Sequence, residues 1–298
     1  MSYTLVLNSS NVVGNNSNTF KYNFLSGNFT TKNSEMCISN IVIPYSWYNI
    51  TSAYANNLLT IEFPTAASTY VLNIVFPDGF YSVNDIQNYI ELQCQALGLY
   101  LIDSTGNYVY FVKLSYNVAY YAVQLIAFVV PQLASLVALG YTQPSTGIYS
   151  TSGTGLPTIA QTPQFQFSSV GSISTILGFQ AGQNYPPVIP QLTTYNINSP
   201  NVPIGSTVNS LVVQCNLVSN AVSVPSDILD GIPITSSFGT NINYQPSFPK
   251  FVKIKDGIYN SFTITFSDQN LNTLYARDPN VSIVLMLRNN VKSGEFLV

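Results

Sequence analysis

IYNSFTITFS, residues 258–267, is the stretch of the chain with the clearest structural signal. Its even positions are apolar except for Asn260, and its odd positions are Tyr, Ser and Thr. Alternation with a period of two brings the apolar side chains to one face, which predicts a β-strand with one buried side. We therefore expect a fold made of strands that each bury one face.

The same alternation recurs along most of the 298-residue chain. Residues 281–287 and 70–76 each carry four apolar side chains on one face. Turn dipeptides such as Asn56-Asn57, Asp78-Gly79 and Asp256-Gly257 separate the candidate strands. Further predicted strands are 3–7, 19–24, 36–44, 58–63, 108–114, 165–167, 211–217 and 251–254. The fold class is therefore predicted to be all-β.

One segment has the periodicity of a helix instead. Ser82 is a good N-cap, and Asp85 occupies the capping-box position three residues later. Apolar residues then recur every three or four positions until Gly98 supplies a stop. These apolar residues are Val83, Ile86, Ile90, Cys94 and Leu97. We predict one short amphipathic helix that packs across the end of a β-sandwich and holds no cofactor.

Residues 118–141 are apolar and long enough to be considered as a membrane span. Pro131 and Gln132 interrupt the middle of this stretch. The favoured interpretation is a buried strand at 123–130, followed by a short helix at 132–139 that ends at Gly140. We predict no membrane span. Three widely spaced cysteines, without a basic and apolar leader, favour reduced thiols in a protein made in the cytoplasm.

Charge is scarce in this chain and missing from a long part of it. Charged residues make up 7% of the sequence, against roughly 25% in an ordinary soluble domain. Residues 114–226 contain no Asp, Glu, Lys or Arg, and the chain has no His. Disorder is not expected, because the 21 Tyr and 17 Phe are typical of folded chains. Nine basic residues and a net charge of −3 predict no specific binding of nucleic acid.

Little in the sequence points to catalysis. Without His there is no Ser-His-Asp or Cys-His arrangement and no two-His zinc site. Phosphate-binding glycine motifs are also missing. Two pairs of acidic residues remain, Asp227 with Asp230 and Asp268 with Asp278, in turns where Asp commonly bonds to local backbone. A calcium loop from Asp256 to Asp268 is excluded by the strand predicted between them. We predict no catalytic residue, no metal site, no cofactor and no enzyme activity.

A basic cluster allows two interpretations. Lys250, Lys253 and Lys255 alternate with apolar residues, so the last two share one face of a predicted strand. The cluster is either a solvated strand face that discourages edge pairing or a contact for an acidic partner. The solvated face is favoured.

An aromatic cluster also allows two interpretations. Tyr45, Trp47, Tyr48 and Tyr54 lie close together in the sequence. Such rings either stack on sugars, as in a lectin, or fill the corner of a β-sandwich or a subunit interface. The core or the interface is favoured, because neither a secretion signal nor a charged surface accompanies the cluster.

Six phrases, taken in order, carry a family resemblance. They are CISNIVIPYSWYNIT (37–51), NNLLTIEF (56–63), FPDGFYSVNDIQNYIELQ (76–93), ILGFQ (176–180), FPKFVKIKDGIYNSFTITFSDQNLNTL (248–274) and RDPNVSIVLMLR (277–288). This ordered set resembles the penton proteins of virophages and polinton-like viruses. Those proteins show an Ile-Pro-Tyr-x-Trp-x-Asn-Ile corner, a Gly-x-Tyr-Ser helix start, a Leu-Gly-Phe and an Asn-Ser-Phe…Asp-Gln near the end. The resemblance covers most of the chain outside 114–170 and 182–209.

The resemblance implies a fold, a location and partners. The fold would be one jelly-roll β-sandwich over residues 1–298. The protein would form homopentamers at the fivefold vertices of an icosahedral virion, after synthesis in the host cytoplasm. Its neighbours would be trimers of a major capsid protein with a double jelly roll. The chain is longer than eight strands require, so we expect a loop-rich insertion within residues 140–209, at 140–165 or 182–209.

Three other hypotheses remain open at this point. A β-sandwich adhesin or lectin-like binding protein is the main alternative, and it would depend on Trp47 for glycan binding. An enzyme with two converging carboxylates, such as a glycosidase, is another. A major coat subunit is the third, although a double jelly roll normally needs a longer chain.

Overall fold

The computed structural model describes residues 2–15, 17–25 and 27–289, and this part of the chain is mostly β-strand. It contains twenty strands and three α-helices. The helices are α1 (Val83–Leu97), α2 (Leu136–Leu139) and α3 (Ser174–Leu177). The strands are β1 (Ser2–Leu7), β2 (Thr19–Asn23), β3 (Phe29–Thr31), β4 (Ser34–Pro44), β5 (Leu58–Pro64), β6 (Thr69–Val75), β7 (Leu101–Ile102), β8 (Tyr108–Val109), β9 (Val112–Asn117), β10 (Ala122–Ala127), β11 (Gln164–Phe167), β12 (Gln183–Tyr185), β13 (Tyr195–Asn198), β14 (Ser210–Cys215), β15 (Ile228–Pro233), β16 (Asn241–Tyr244), β17 (Val252–Lys253), β18 (Gly257–Tyr259), β19 (Ser261–Asp268) and β20 (Ser282–Asn289).

The chain divides into two compact units. One unit, here called the terminal unit, joins Met1–Trp47 to Val208–Val298. The other, here called the central unit, is the continuous stretch Tyr48–Thr207. The expected single domain with an insertion within 140–209 stays a prediction.

The terminal unit contains two larger antiparallel sheets and the two-stranded sheet β18-β3. The first has the order β1-β20-β4-β16, with β17 pairing on β4, and the second has the order β15-β14-β19-β2. Each strand buries alternate residues, as the period-two pattern predicts. The buried set includes Leu5, Leu7, Phe20, Ile41, Ile43, Leu211, Val213, Leu229, Ile232, Ile242, Phe262, Ile264, Phe266, Ile283, Leu285 and Leu287. Apolar burial on one face of each sheet is what stabilises this unit.

The stretch 258–267 proves to be two strands instead of one. β18 pairs with β3, whereas β19 pairs with β14 and β2. The break falls at Asn260, whose carbonyl oxygen accepts a hydrogen bond from the Phe24 N–H at 2.9 Å. Ile258 is consequently 68% exposed, while Phe262 lies in the core. The predicted buried face is therefore correct for β19 and wrong for Ile258.

The central unit combines three sheets with helix α1. Their orders are β12-β11-β5-β6, β13-β10-β9 and β7-β8. α1 packs against β9. The hydrophobic core of the central unit is formed by side chains from these sheets and from α1. It includes Ile61, Phe63, Ile74, Phe76, Ile86, Ile90, Leu114, Leu125, Tyr149, Phe165, Phe167 and Leu177.

Helix α1 confirms the predicted caps. The Ser82 Oγ accepts a hydrogen bond from the Asp85 N–H at 3.2 Å, and the Asp85 carboxylate accepts one from the Ser82 N–H at 2.9 Å. The Ser82 hydroxyl also donates a hydrogen bond to the Asp85 carboxylate at 2.7 Å. This bond first, and the one from the Ser82 N–H second, hold the pKa of Asp85 below its usual value. The helix ends at Gly98, whose φ of 64° is left-handed and suits glycine.

The apolar stretch 118–141 is a strand followed by a helical turn, as predicted. β10 covers its first part, and α2 ends at Gly140 with a φ of 70°. α3 ends in the same way at Gly178, and in both cases the following aromatic N–H bonds back to the first helical residue. Within residues 2–15, 17–25 and 27–289, no helix combines the length and the apolar character that crossing a bilayer requires.

The structure also contains strands that the sequence patterns do not predict. They are β3, β7, β12, β13, β15 and β16. All are six residues or shorter, and several lie in Asn-, Pro- or Gly-rich sequence where alternation is too brief to detect. The predicted strand 108–114 is in fact two pieces, β8 and β9, separated at Tyr110 and Phe111.

Candidate assembly surface

The first pair of candidate acids bonds to separate local partners. The Asp230 carboxylate accepts hydrogen bonds from Tyr244 Oη at 2.7 Å and Lys250 Nζ at 3.1 Å. Asp227 instead accepts from the side-chain amide of Gln214, at 3.3 and 3.4 Å. These contacts occupy each carboxylate within the terminal unit.

The second pair consists of turn residues. Asp268 Oδ1 accepts from the backbone N–H groups of Asn270 and Asn272, both at 2.8 Å. Asp278 Oδ1 accepts from the Asn280 N–H at 2.9 Å. Asp side chains in turns commonly accept hydrogen bonds from nearby backbone N–H groups in this way. Across residues 2–15, 17–25 and 27–289, no group of three His, Cys, Asp or Glu is arranged to hold a metal ion.

The basic cluster lies on a strand face, as its alternation predicts. Lys253 and Lys255 are exposed and flank the buried Ile254. Lys250 pairs with Asp230, and this hydrogen bond is the largest reason why the pKa of Lys250 lies above its usual value. The ion pair directs one of the three lysines toward its own unit.

The aromatic cluster is divided between core and surface. Trp47 is 1% exposed and Tyr45 is 5% exposed, with their ring centroids 4.5 Å apart. Tyr48 and Tyr54 are partly exposed. A buried indole has no face available for a sugar, so Trp47 cannot supply the stacking platform that a lectin would need.

The three cysteines are buried and form no disulfide. Burial raises the pKa of Cys94 to about 12 and that of Cys215 to about 11. Burial is also the largest cause of the raised pKa of Cys37. Reactive cysteines are partly exposed and have lowered pKa values, so these thiols fit a structural role.

Exposed apolar side chains are frequent in the stretch without charge. Val118, Tyr120 and Tyr121 are 78%, 73% and 63% exposed, and Val137 is 93% exposed. Single exposed hydrophobic residues are normal, but clusters of them mark interaction surfaces. The missing charge was visible in the sequence, whereas the side chains that reach the surface depend on the tertiary fold.

One of these clusters surrounds an open groove in the central unit, here called the apolar groove. Its volume is about 870 Å³. Prominent lining residues are Tyr110, Phe111, Phe128, Pro131, Ala138 and Tyr141. The lining contains no charged side chain, and several of its rings pack against the core of the unit. The groove is therefore backed by the core of the unit on one side and open on the other.

A second cluster, here called the tyrosine turn, is formed by residues 118–121. This segment connects β9 to β10 and is a single 3₁₀ turn. Tyr121 has a φ of 49°, in the left-handed region where a bulky side chain is unusual. Its ring meets that of Tyr116 edge-on, with centroids 6.2 Å apart. The turn thus presents ordered aromatic and apolar side chains to the exterior.

Comparison with known proteins returns penton and virophage structures. No protein-family model matches the chain, and no curated protein matches it. The crystal structure of the SeMet-labelled mavirus penton protein superposes with 10% identity and a TM-score of 0.43, covering 96% of this chain and 99% of that one. A chain of the Sputnik virophage, from the 3.5 Å cryo-EM structure, superposes with 12% identity and a TM-score of 0.37, covering 97% and 98%.

Proposed function

We propose that this chain is a structural capsid protein whose pentamers close the fivefold vertices of an icosahedral virus particle. The observation that carries the proposal is the order in which strands of the terminal unit pair. Eight of them, in chain order, are β1, β2, β4, β14, β15, β16, β19 and β20. The first pairs with the eighth, the second with the seventh, the third with the sixth and the fourth with the fifth.

This nested antiparallel pairing is the arrangement of a jelly roll. In a jelly roll, the first four strands pair with the last four as the two arms of one long hairpin. When this hairpin folds over on itself, it produces two four-stranded sheets. Jelly rolls of this kind are found in viral capsid and lectin domains. In the sequence, the central unit lies between the third and fourth of these eight strands, β4 and β14. We therefore propose one jelly roll, with residues 48–207 as its insertion, longer than the 140–209 expected from composition.

The surface chemistry supports permanent contact between copies. A ring needs two different flanks on each subunit that fit each other. Burying unpaired charge is costly, so a surface poor in charge is suited to permanent contact. Residues 114–226 supply such a surface in both units. The partners in this proposal are further copies of the chain and a double-jelly-roll major capsid protein, in the virion, after synthesis in the host cytoplasm.

The proposal gives the chain no catalytic role, cofactor or nucleic-acid site. The local bonding of Asp227, Asp230, Asp268 and Asp278 supports this part of it. The buried indole of Trp47 speaks against the lectin alternative, although the jelly roll itself is shared with lectins. No further candidate function is supported by a specific contact.

The native mass of the purified full-length chain tests the proposal. We expect a mass five times that of the 32.6 kDa chain by light scattering, and fivefold rings by negative-stain electron microscopy. Mixing with the major capsid protein is the second arm, in which fivefold vertices should form. A chain that stays monomeric at high concentration, both alone and with that coat protein, would contradict the proposal.

A further inference from the structure

We propose that the tyrosine turn of one copy inserts into the apolar groove of the next copy. This contact rests on the proposed function, because it supplies one of the interfaces that a ring of copies needs. Both surfaces belong to the central unit. We take the occupant to be a second copy of this chain, because each copy carries both surfaces and neither surface carries charge.

The two surfaces lie at opposite ends of one hairpin. β9 and β10 pair over six positions, from Asn117↔Ala122 beside the turn to Val112↔Ala127 beside the groove. The Phe128 N–H then bonds to the Phe111 carbonyl at 2.8 Å, and both residues line the groove. At about 3.4 Å per residue, roughly 20 Å separates the turn from the groove. A turn cannot reach the groove of its own hairpin, so the contact must form between copies.

Such a contact is head-to-tail. A donor at one end of a rigid element and an acceptor at the other produce a heterologous interface, which closes into a ring when the rotation allows it. The hairpin is rigid because β10 also pairs with β13, and α1 packs against β9. The spacing between donor and acceptor is therefore set by the fold of the central unit.

The electrostatics of the two surfaces match. The turn and its flanks from 114 onward carry no charged residue, and neither does the lining of the groove. Inserting the turn would bury Val118 and Tyr120, which are highly exposed in one copy, without desolvating an ion. Tyrosine hydroxyls of the turn would meet a lining that contains Ser135 and Thr194 as polar groups. The match explains why a long exposed stretch can lack charge.

The backbone of the turn gives independent support. Gly would adopt the left-handed conformation of residue 121 without strain, yet the chain has Tyr there. A bulky residue at positive φ costs free energy and is usually kept where its side chain has a use. The edge-on packing of Tyr121 against Tyr116 holds the turn in one shape before it binds.

Cysteine crosslinking tests the contact directly. One full-length variant carries Tyr120→Cys and another carries Ala138→Cys, and the two are mixed under mild oxidation. The native cysteines are buried, so they do not compete. We expect a disulfide-linked pair of chains from the mixture and little from either variant alone. The matched control replaces Tyr120→Cys with Phe248→Cys, a residue 69% exposed in the terminal unit and outside residues 114–226, and should give no crosslink to Ala138→Cys.

Light scattering on the same samples separates this inference from the proposed function. A crosslink in an assembly of fivefold mass supports both. A crosslink in an assembly of another size supports the contact and contradicts the pentamer. Fivefold mass without the crosslink overturns the contact and leaves the pentamer standing. Neither assembly nor crosslink at high concentration overturns the contact and counts against the pentamer.

A charge placed on the turn provides a second test. Tyr120→Glu should raise the concentration needed for half-assembly roughly hundred-fold, because the groove offers no partner for the carboxylate. Phe248→Glu changes an aromatic residue of similar exposure, 69% against 73% for Tyr120, outside both surfaces and outside residues 114–226, and it should alter this concentration less than about threefold. Thermal unfolding should show that both variants keep the stability of the native chain. Equal effects of the two substitutions on assembly would overturn the proposal.

Discussion

At the scale of single residues, burial keeps two thiols and one tyrosine hydroxyl neutral. Cys94 lies in the core of the central unit, and Cys215 lies in the core of the terminal unit. Each has a pKa raised chiefly by burial, because a thiolate loses its hydration there. Tyr149 is likewise buried, with its pKa raised, and its hydroxyl donates to the Pro64 carbonyl at 3.1 Å.

These shifts predict stability that declines at alkaline pH. Unfolded thiols lose their protons from about pH 8.5, whereas Cys94 keeps its proton until about pH 12 and Cys215 until about pH 11. The unfolded chain therefore binds fewer protons in this window, and the free energy of unfolding falls as pH rises. Urea unfolding at several pH values above 8.5 measures the slope.

A substitution and a labelling experiment check the cause. Cys94→Ala should make the slope of unfolding free energy against pH shallower, while the exposed substitution Ser104→Ala should leave it unchanged. Thiol reagents at pH 8 should label all three cysteines in urea and none in the native protein. Rapid labelling of the native chain would show that these thiols are not held in the core.

At the scale of elements, one side chain completes the edge of a sheet. β9 is the outer strand in the order β13-β10-β9. The Gln87 side chain on α1 accepts a hydrogen bond from the Leu114 N–H at 2.7 Å and donates one to the Val112 carbonyl at 3.1 Å. The carboxamide thus takes the place of the peptide group of a further strand. Covering an edge in this way prevents unwanted strand pairing.

Gln87→Leu should lower the free energy of unfolding by about 2–4 kcal/mol, because it leaves two buried backbone groups without partners. The control is Gln95→Leu, on an exposed position of the same helix, with an expected change within about 0.5 kcal/mol. Chemical denaturation gives the free energies, and amide exchange at Leu114 reports the lost bond. Unchanged protection at Leu114 in Gln87→Leu would contradict this role.

At the scale of the whole molecule, the ion pairs of the described residues lie outside the stretch without charge. The two ion pairs found among the described residues, Lys250–Asp230 and Arg288–Glu35, both lie within the terminal unit. Assembly through residues 114–226 would form no ion pair from that stretch. The interaction between copies should therefore depend on apolar burial and on hydrogen bonds between neutral groups.

Assembly should accordingly be insensitive to salt. Between 0.05 and 1 M sodium chloride, we expect the concentration for half-assembly to change by less than about threefold, because screening weakens only charged contacts. Sedimentation velocity across this range is the measurement. Dissociation of the oligomer on addition of salt would show that ion pairs hold it together.

Short-range sequence patterns predicted which helices and strands exist better than they predicted the residues where each one begins and ends. The caps of α1 at Ser82 and Gly98 and the turn of α2 at Gly140 depend on neighbours within a few residues, so the sequence sufficed for them. The split at Asn260 was not predicted, because a single polar residue among the apolar even positions is too small a break in the alternation to end a strand. The same holds for β13, whose pairing with β10 joins Ile197 to Leu125 across the chain.

For the candidate assembly surface, too, some features could be predicted from the sequence and others depend on the tertiary structure. Sequence alone determined that the chain has no His, no charge from 114 to 226 and a strand-rich pattern with one capped helix, since composition and short-range periodicity are local properties. Tertiary structure decided that Ser2 pairs with Arg288 and Thr19 with Thr265, and that the groove and the tyrosine turn lie at the two ends of one hairpin. Pairing between distant residues depends on the competition of all strands for the same core, and no local pattern records the outcome of that competition.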